Sequence, residues 1–389
     1  MRRLGVLGGT FDPVHEGHVA LAREAMRQES LDGVILLPMG RPVHREADTQ
    51  PSDRLAMCRL AVAEEPGMMV SQAGIQSGVR STADTLGPLR REFPDAAFTM
   101  IVGADKLLSM PYWQNADKVF SQCGFLCFPR AGVNISDAMA KVQEAGAKVK
   151  LLQGASTPHS ASLIRARISA YEDAPGLSKP VLCYIAENGL YQKDYTPQLR
   201  QMMNPRRFQH TLGVRKEAVR LAALHGIPVL RSALAGILHD CAKGMSVQEM
   251  ARIATENRLV DDENMLSSNA MLHGPVGAWL AQKQFGVKDE EVLWAIRSHT
   301  IGRPGMSPME LCIFVADATE ENREDYEGLA DLRYLAEGSL AAAALYSMRL
   351  TQEYLKRTNR PFFPIVFETM RYLESTLTPT EWKLLRAIE

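Results

Sequence analysis

The sequence predicts two domains of different class, an α/β domain built on a doubly wound parallel sheet followed by an all-α domain, at 1–195 and 196–389. Three observations carry this. The chain has 389 residues, enough for two to three domains at roughly 150 residues each. Short, wholly apolar runs alternate with helix-like stretches in the first half. After about Tyr195 those runs vanish and apolar residues recur at helical spacing.

Leu4–Leu7 is a short apolar run ending in Gly8-Gly9, a strand entering a loop. Val19 to Met26 reads as a helix and Gly33–Pro38 as a second buried strand. Arg54–Glu64 looks helical, Phe98–Val102 and Cys123–Phe128 are continuous apolar runs, and Val149–Leu152 precedes a helix starting near Ser160. Buried strands separated by helices imply a parallel sheet covered on both faces. Further on, Val214, Ala218, Leu221 and Ala222, then Leu234, Ile237 and Leu238, then Val276 and Leu280, then Val292, Ala295 and Ile296 each mark one helix face. The polar stretch Gln192 to Arg207, with Pro197 and Pro205, is the expected junction. No motif is visible beyond about Leu332.

Hydrophobic residues make up 46% and charged residues 23%, which excludes disorder, collagen and coiled coil. Lys plus Arg total 44 against 45 Asp plus Glu, with no basic tail or acidic block. A sequence-independent nucleic-acid binder is thereby excluded, and any polyanionic ligand needs a local site. Six cysteines, at 58, 123, 127, 183, 241 and 312, show no CxxC pair and read as reduced thiols of a cytoplasmic protein, with Cys123 and Cys127 packing a strand. No apolar run reaches membrane-spanning length, and none follows Met1-Arg2-Arg3 as a signal peptide would require.

Gly8-Gly9-Thr10-Phe11-Asp12-Pro13-Val14-His15-Glu16-Gly17-His18 lies between the first strand and first helix, where ligands bind in open α/β sheets. Glycines allow close approach, and a helix N-terminus favours phosphate. His15 and His18, three apart, are expected to share a helix face and point at one phosphoryl group. No Lys-Ser/Thr follows the glycines, and the histidines are not spaced as HExxH, so Walker A and zincin motifs are excluded.

This segment resembles the GGTFDPxHxGH motif of nucleotidyltransferases with a Rossmann-like fold, closest to bacterial nicotinate-nucleotide adenylyltransferases of the NadD type. Asp84-Thr85-Leu86, the run from Val102-Gly103-Ala104-Asp105 to Met110-Pro111-Tyr112-Trp113, and Ser160-Ala161-Ser162-Leu163-Ile164-Arg165 continue the resemblance in family order. It implies that Gly8, Gly9, Thr10, His15 and His18 bind the phosphates of ATP with Mg2+, His18 stabilising the transition state. Ser162 and Arg165 would hold the triphosphate, Arg165 acting with the histidines. His44 would bind the mononucleotide phosphate, Thr85 the pyridine carboxylate, and Trp113 would stack on the pyridine, with Gly103 and Asp105 completing the nucleotide site. His159, Ser162 and Arg45 depart from the family's isoleucine, threonine and lysine. Ser and Arg keep hydroxyl and charge, which implies altered affinity and retained chemistry, and His159 is expected to be structural. The implied reaction is attack of the mononucleotide phosphate on the α-phosphorus of ATP, releasing pyrophosphate, with no covalent intermediate and no general base. A different acceptor, nicotinamide mononucleotide or phosphopantetheine, is the alternative.

In the second half, His210, His239, His273 and His299 each fall on an expected helix or its end. Asp240 follows His239, and Asp317 lies in an apolar helical run. Imidazoles and carboxylates converging from separate helices suit a hydrolytic metal centre, and a two-metal centre could polarise a phosphate. Neighbouring side chains of a His-Asp pair on a helix diverge by about 100°, so the pair could serve one metal or two. These residues resemble the HD superfamily of phosphohydrolases. Met271-Leu272-His273-Gly274-Pro275-Val276-Gly277-Ala278 and the run from Ala295 to Pro304 are similar to its YqeK-type branch, which is associated with iron-dependent symmetrical hydrolysis of diadenosine tetraphosphate to two ADP. The resemblance implies His210, His239, Asp240, His273, His299 and Asp317 as ligands of two metal ions, iron by analogy, with Lys243 and Arg303 contacting phosphate. The alternatives are another nucleotide substrate, or a domain that only senses one. The sequence leaves a homo-oligomer open.

Overall fold

A computed structural model of the chain describes residues 1–40, 47–129, 135–154, 159–360 and 363–388. The chain packs as two compact units, Met1–Ala170 with Ala174–Tyr184, and Tyr171–Asp173 with Ile185–Glu389. In chain order the first half runs β1 Arg2–Gly9, α1 Glu16–Glu29, β2 Gly33–Pro38, α2 Pro51–Val62, β3 Met68–Val70, α3 Thr82–Glu92, β4 Ala96–Gly103, α4 Ala104–Leu107, α5 Ala116–Gln122, β5 Gly124–Phe128, α6 Ile135–Glu144, β6 Val149–Leu151, α7 Ala161–Ser169 and α8 Lys179–Asn188.

The six strands form one sheet in the order β3-β2-β1-β4-β5-β6, every pairing parallel. All six residues of β2 are buried, as expected of an inner strand covered on both faces. The order reverses between β1 and β4, which places the Gly8-Gly9 loop and Gly103 at the carboxyl ends bordering the switch point, where a crevice opens for nucleotides. Cys123 and Cys127 pack in the core beneath β5, and all six cysteines are free thiols. β3 escaped the sequence reading because Met68-Met69-Val70 is too short to show a period.

The second half is helical: α9 Thr196–Met202, α10 Pro205–His225, α11 Val229–Leu238, α12 Val247–Glu256, α13 Asn269–Lys283, α14 Glu290–Ser298, α15 Pro308–Thr319, α16 Leu329–Gly338, α17 Leu340–Arg357, α18 Pro364–Thr376 and α19 Pro379–Arg386. Every apolar residue cited above to mark the helix faces lies in one continuous core. The chain beyond Leu332, silent in motifs, contributes Leu345, Met348, Leu373 and Leu385 to that same core. The expected junction at 192–207 is largely helical. Pro197 and Pro205 stand at the first turns of α9 and α10, where a missing N–H costs nothing, and Leu199 is fully buried. Among the described residues, no helix is long and apolar enough to cross a membrane.

Candidate functional site

In the first unit, β1 delivers Gly8 and Gly9 to a loop that ends at α1. A Cβ on Gly8 would meet nothing within 4 Å, so open space for a ligand lies against this backbone. His15 is the extended N-cap of α1 rather than a residue on its face, which corrects the shared-face expectation; only His18 is helical. The capping geometry still brings the rings together, with centroids 3.8 Å apart. The His15 backbone N–H donates to His18 Nδ1 at 3.2 Å. A neutral His18 accepting there must carry its proton on Nε2, leaving Nε2–H as a donor. Burial, then His159, lowers the His15 pKa to about 4; burial, then His15, lowers that of His18 to about 3. Both imidazoles are therefore neutral in the free protein near pH 7.

The loop is fixed from behind. Asp12 is buried and accepts from the Asp48 N–H and the Thr49 hydroxyl, each at 2.7 Å. Arg165, on α7, donates to the Asp12 carbonyl at 2.7 Å and pairs with Asp48 at 2.5 Å, so it reaches the glycine loop across 153 residues of sequence. Arg54 is wholly buried and donates to the carbonyls of Thr10, Met39 and Gly40 at 2.8, 2.6 and 3.0 Å. The sequence reading missed Arg54, because an arginine in an amphipathic helix normally faces solvent. It also set His159 aside as structural. That ring lies 6.4 Å from His15 and packs against Gly176, where a Cβ would collide with it.

The other expected residues are disposed unequally. Ser160, not Ser162, caps α7; the two hydroxyls lie 2.8 Å apart. Gly103 caps α4 and Asp105 is exposed on it. Trp113 is half-buried, edge-on to Phe125. Thr85 is wholly buried and its hydroxyl donates to the Thr82 carbonyl at 2.7 Å. His44 and Arg45 lie outside the described residues.

In the second unit, all six expected ligands converge. His210 sits on α10, His273 on α13 and Asp317 on α15, while His239-Asp240 and His299 lie just past the ends of α11 and α14. Leaving the helix lets adjacent His239 and Asp240 converge, contrary to the expected divergence, with Nε2 to Oδ2 3.5 Å. Asp240 lies between two groups. Its Oδ2 faces His210 and His239 Nε2 at 3.8 and 3.5 Å; its Oδ1 faces His273 and His299 Nε2 at 3.5 and 3.7 Å. Asp317 Oδ1 adds to the first group, 2.9 Å from His210 Nε2.

Every imidazole is held by its outer nitrogen. Nδ1 of His239, His299 and His273 lies 2.7, 2.7 and 2.8 Å from the carbonyls of Gly236, Ile296 and Asn269, and His210 Nδ1 lies 3.0 Å from Glu320 Oε1. Oxygen acceptors require Nδ1 to donate, so the Nε2 atoms of His239, His273 and His299 turn lone pairs inward, while His210 Nε2 faces the Asp317 carboxylate and would turn its lone pair to a cation bound between them. Nε2 of His210 and His239 are buried without a hydrogen bond, and the Nε2 atoms of His273 and His299 stand 3.1 Å apart. Inward lone pairs with buried carboxylates fit divalent cations. Burial alone would raise the Asp240 pKa, but the surrounding imidazoles, His239 first, outweigh it and hold the carboxyl well below its ordinary range.

Cations rim this cluster. Arg207 donates to Asp240 Oδ2 at 2.8 Å and Arg323 to Asp317 Oδ1 at 2.7 Å; neither was singled out from sequence. Lys243 Nζ lies 3.2 Å from both ring nitrogens of His273, and burial pushes its pKa down. Arg303 is engaged elsewhere. It makes a two-point pair with buried Glu310 at 2.8 and 2.7 Å and stacks over Trp294.

Residues 6–167 match the cytidylyltransferase-like family model and residues 207–322 match the HD domain model. The chain is 27% identical over 361 residues to a Mycoplasma genitalium protein named probable nicotinate-nucleotide adenylyltransferase/Ap4A hydrolase, covering 91% of this chain and 99% of that one. It is 39% identical over 178 residues to the symmetrical bis(5'-nucleosyl)-tetraphosphatase of Bacillus subtilis, covering 46% of this chain and 94% of that one. A probable nicotinate-nucleotide adenylyltransferase of Neisseria meningitidis is 31% identical over 202 residues, with 50% of this chain and 100% of that one covered. The chain thus belongs both to the nicotinate-nucleotide adenylyltransferase family and to the HD-domain family of symmetrical bis(5'-nucleosyl)-tetraphosphatases, joined in one polypeptide.

Proposed function

We propose that the chain is a bifunctional enzyme. Its first unit transfers adenylyl from ATP to nicotinate mononucleotide, giving nicotinate adenine dinucleotide and pyrophosphate. Its second hydrolyses diadenosine tetraphosphate to two ADP. The observation that carries this is the opposite polarity of two imidazole sets. His18 offers an N–H beside a glycine loop, and four histidines offer lone pairs around Asp240.

In the first site a triphosphate would lie along Gly8, Gly9 and Thr10 and accept from His18 Nε2–H, with Arg165 and Ser162 completing the grip; Mg2+, bound with the nucleotide, would supply charge neutralisation. The acceptor's phosphate attacks the α-phosphorus, so catalysis is positioning plus donors aimed at developing charge. Gly103, Asp105, Thr85, Trp113 and His44 are assigned to nucleotide and pyridine recognition. The Thr85 hydroxyl proton is committed to the Thr82 carbonyl.

In the second site His210, His239, Asp240, His273, His299 and Asp317 hold two cations, which when bound activate water and polarise a phosphoryl group. The donors are all nitrogen and oxygen, a set that suits first-row divalent cations, with Cys241 directing its Sγ to the Gly277 carbonyl; we assign iron from the resemblance to the iron-dependent YqeK-type branch. Arg207, Arg323 and Lys243 place positive charge where a polyphosphate must lie. Six free thiols, five of them buried, suit the reducing cytoplasm.

The test is a substrate panel on the full chain and on one variant of it. His18→Ala should lower dinucleotide synthesis by orders of magnitude and leave tetraphosphate hydrolysis intact. Synthesis near the wild-type rate would refute the role of His18. Preference for nicotinamide mononucleotide or phosphopantetheine would replace the acceptor. Absence of hydrolysis in a metal-loaded sample would reduce the second unit to a sensor.

A further inference from the structure

The metal cluster is not symmetric. On one side of Asp240 stand His210 and His239, which with Asp240 Oδ2 make a close group of three, and Asp317 Oδ1, 2.9 and 3.9 Å from their Nε2 atoms, is at hand as a fourth donor. On the other stand His273 and His299, which with Oδ1 make three, next to the Thr300 hydroxyl at 2.9 and 3.1 Å from the two Nε2 atoms. More protein donors hold a first-row cation more firmly and leave it fewer positions for solvent or substrate.

The outer contacts differ in the same sense. His239, His273 and His299 rest on backbone carbonyls of their own helices, which are neutral. His210 alone rests on a carboxylate, Glu320, which is 1% exposed. A carboxylate behind an imidazole raises its basicity toward a cation. Glu320 is itself fixed, since its Oε2 accepts the Asn322 N–H at 2.6 Å. It also depends on Gly213, one turn along α10 from His210, where a Cβ would clash with Glu320 Oε2. Arg207 and Arg323 offset part of the negative charge on the four-donor side, but remove no donor atom. On the three-donor side Lys243 stands against His273, so both positions have a cationic neighbour and the difference between them lies in the donors and their outer contacts.

We propose that the two cation positions are unequal by construction. The His210–His239–Asp240–Asp317 position fills first and holds its cation, the Asp240–His273–His299 position fills second and exchanges, and Glu320, a positioning residue acting through His210, widens the difference. This rests on the two-metal reading above.

Metal-stripped full-length protein, without nucleotide, is titrated with Mn2+ by calorimetry and by the electron paramagnetic resonance of free Mn2+. Two separate steps are expected. Glu320→Gln should weaken the first step roughly 10- to 100-fold and leave the second nearly unchanged. Gly213→Ala, which favours the helix while crowding the carboxylate, should act in the same direction with the fold kept. Equal affinities in the wild type, or equal weakening of both steps by Glu320→Gln, would overturn the inequality while leaving the two-metal reading standing. No Mn2+ binding at all would overturn both.

Discussion

The His15 backbone N–H donates to His18 Nδ1, and this single contact makes the His18 ring a proton donor at Nε2. The reverse arrangement, Nδ1 to a carbonyl, makes His239 and its companions acceptors. One hydrogen-bond partner per ring, a backbone group for all but His210, thus separates an imidazole suited to phosphate from one suited to a cation.

Both His15 and His18 titrate below their ordinary 6.5, at about 4 and about 3, because burial disfavours the charged ring and each has another imidazole beside it. Below pH 6.5 the unfolded chain takes up protons that the folded chain refuses. Stability from this source is full above 6.5 and declines as pH falls toward about 4. A His15→Gln, His18→Asn double variant should lose less stability than wild type between pH 7 and pH 5 in urea unfolding of the ligand-free protein. Parallel pH profiles would contradict the lowered values.

Asp240→Ala removes the carboxylate shared by both groups of histidines. Bound metal and tetraphosphate hydrolysis should both disappear, while dinucleotide synthesis continues at the wild-type rate. Elemental analysis beside the two assays checks this. Stoichiometric metal surviving the substitution would contradict the ligand set.

Arg54→Ala strips the hydrogen bonds from three half-buried carbonyls just past the ends of β1 and β2. Loss of charge-assisted bonds to these acceptors should cost about 3 kcal/mol or more. Because Thr10 belongs to the glycine loop, KM for ATP should rise as well. Urea unfolding and initial-rate kinetics measure the two effects, and a cost under about 1 kcal/mol would show that water or other donors replace the guanidinium.

Arg303 separates the resemblance from the structure. Were it a phosphate contact, Arg303→Ala would raise KM for the tetraphosphate and leave stability alone. Its two-point pair with Glu310, which also accepts from Ser298 and the Ser307 N–H, predicts the opposite. Removing the half-exposed guanidinium from the buried Glu310 carboxylate should destabilise the protein by roughly 1–2 kcal/mol, solvent screening part of the loss, with KM little changed.

Much of this protein was determined by local sequence. Apolar runs such as Gly33–Pro38 give buried parallel strands whatever surrounds them, and the heptad-like spacing around Leu234 and Val292 gives helices, because periodicity acts within a few residues. The histidines were legible as a set because each sits in a local motif. Their meaning was not. Which ring nitrogen faces inward depends on Gly236, Asn269 and Glu320, and Glu320 is 110 residues from His210. Arg54, Arg207 and Arg323 look like ordinary helix or loop cations until a fold places carbonyls or carboxylates against them. Local sequence therefore settled secondary structure and the inventory of chemical groups. Tertiary packing decided the direction of each proton and the partner of each charge, since hydrogen bonds and buried ion pairs depend on atoms that meet only in the folded chain.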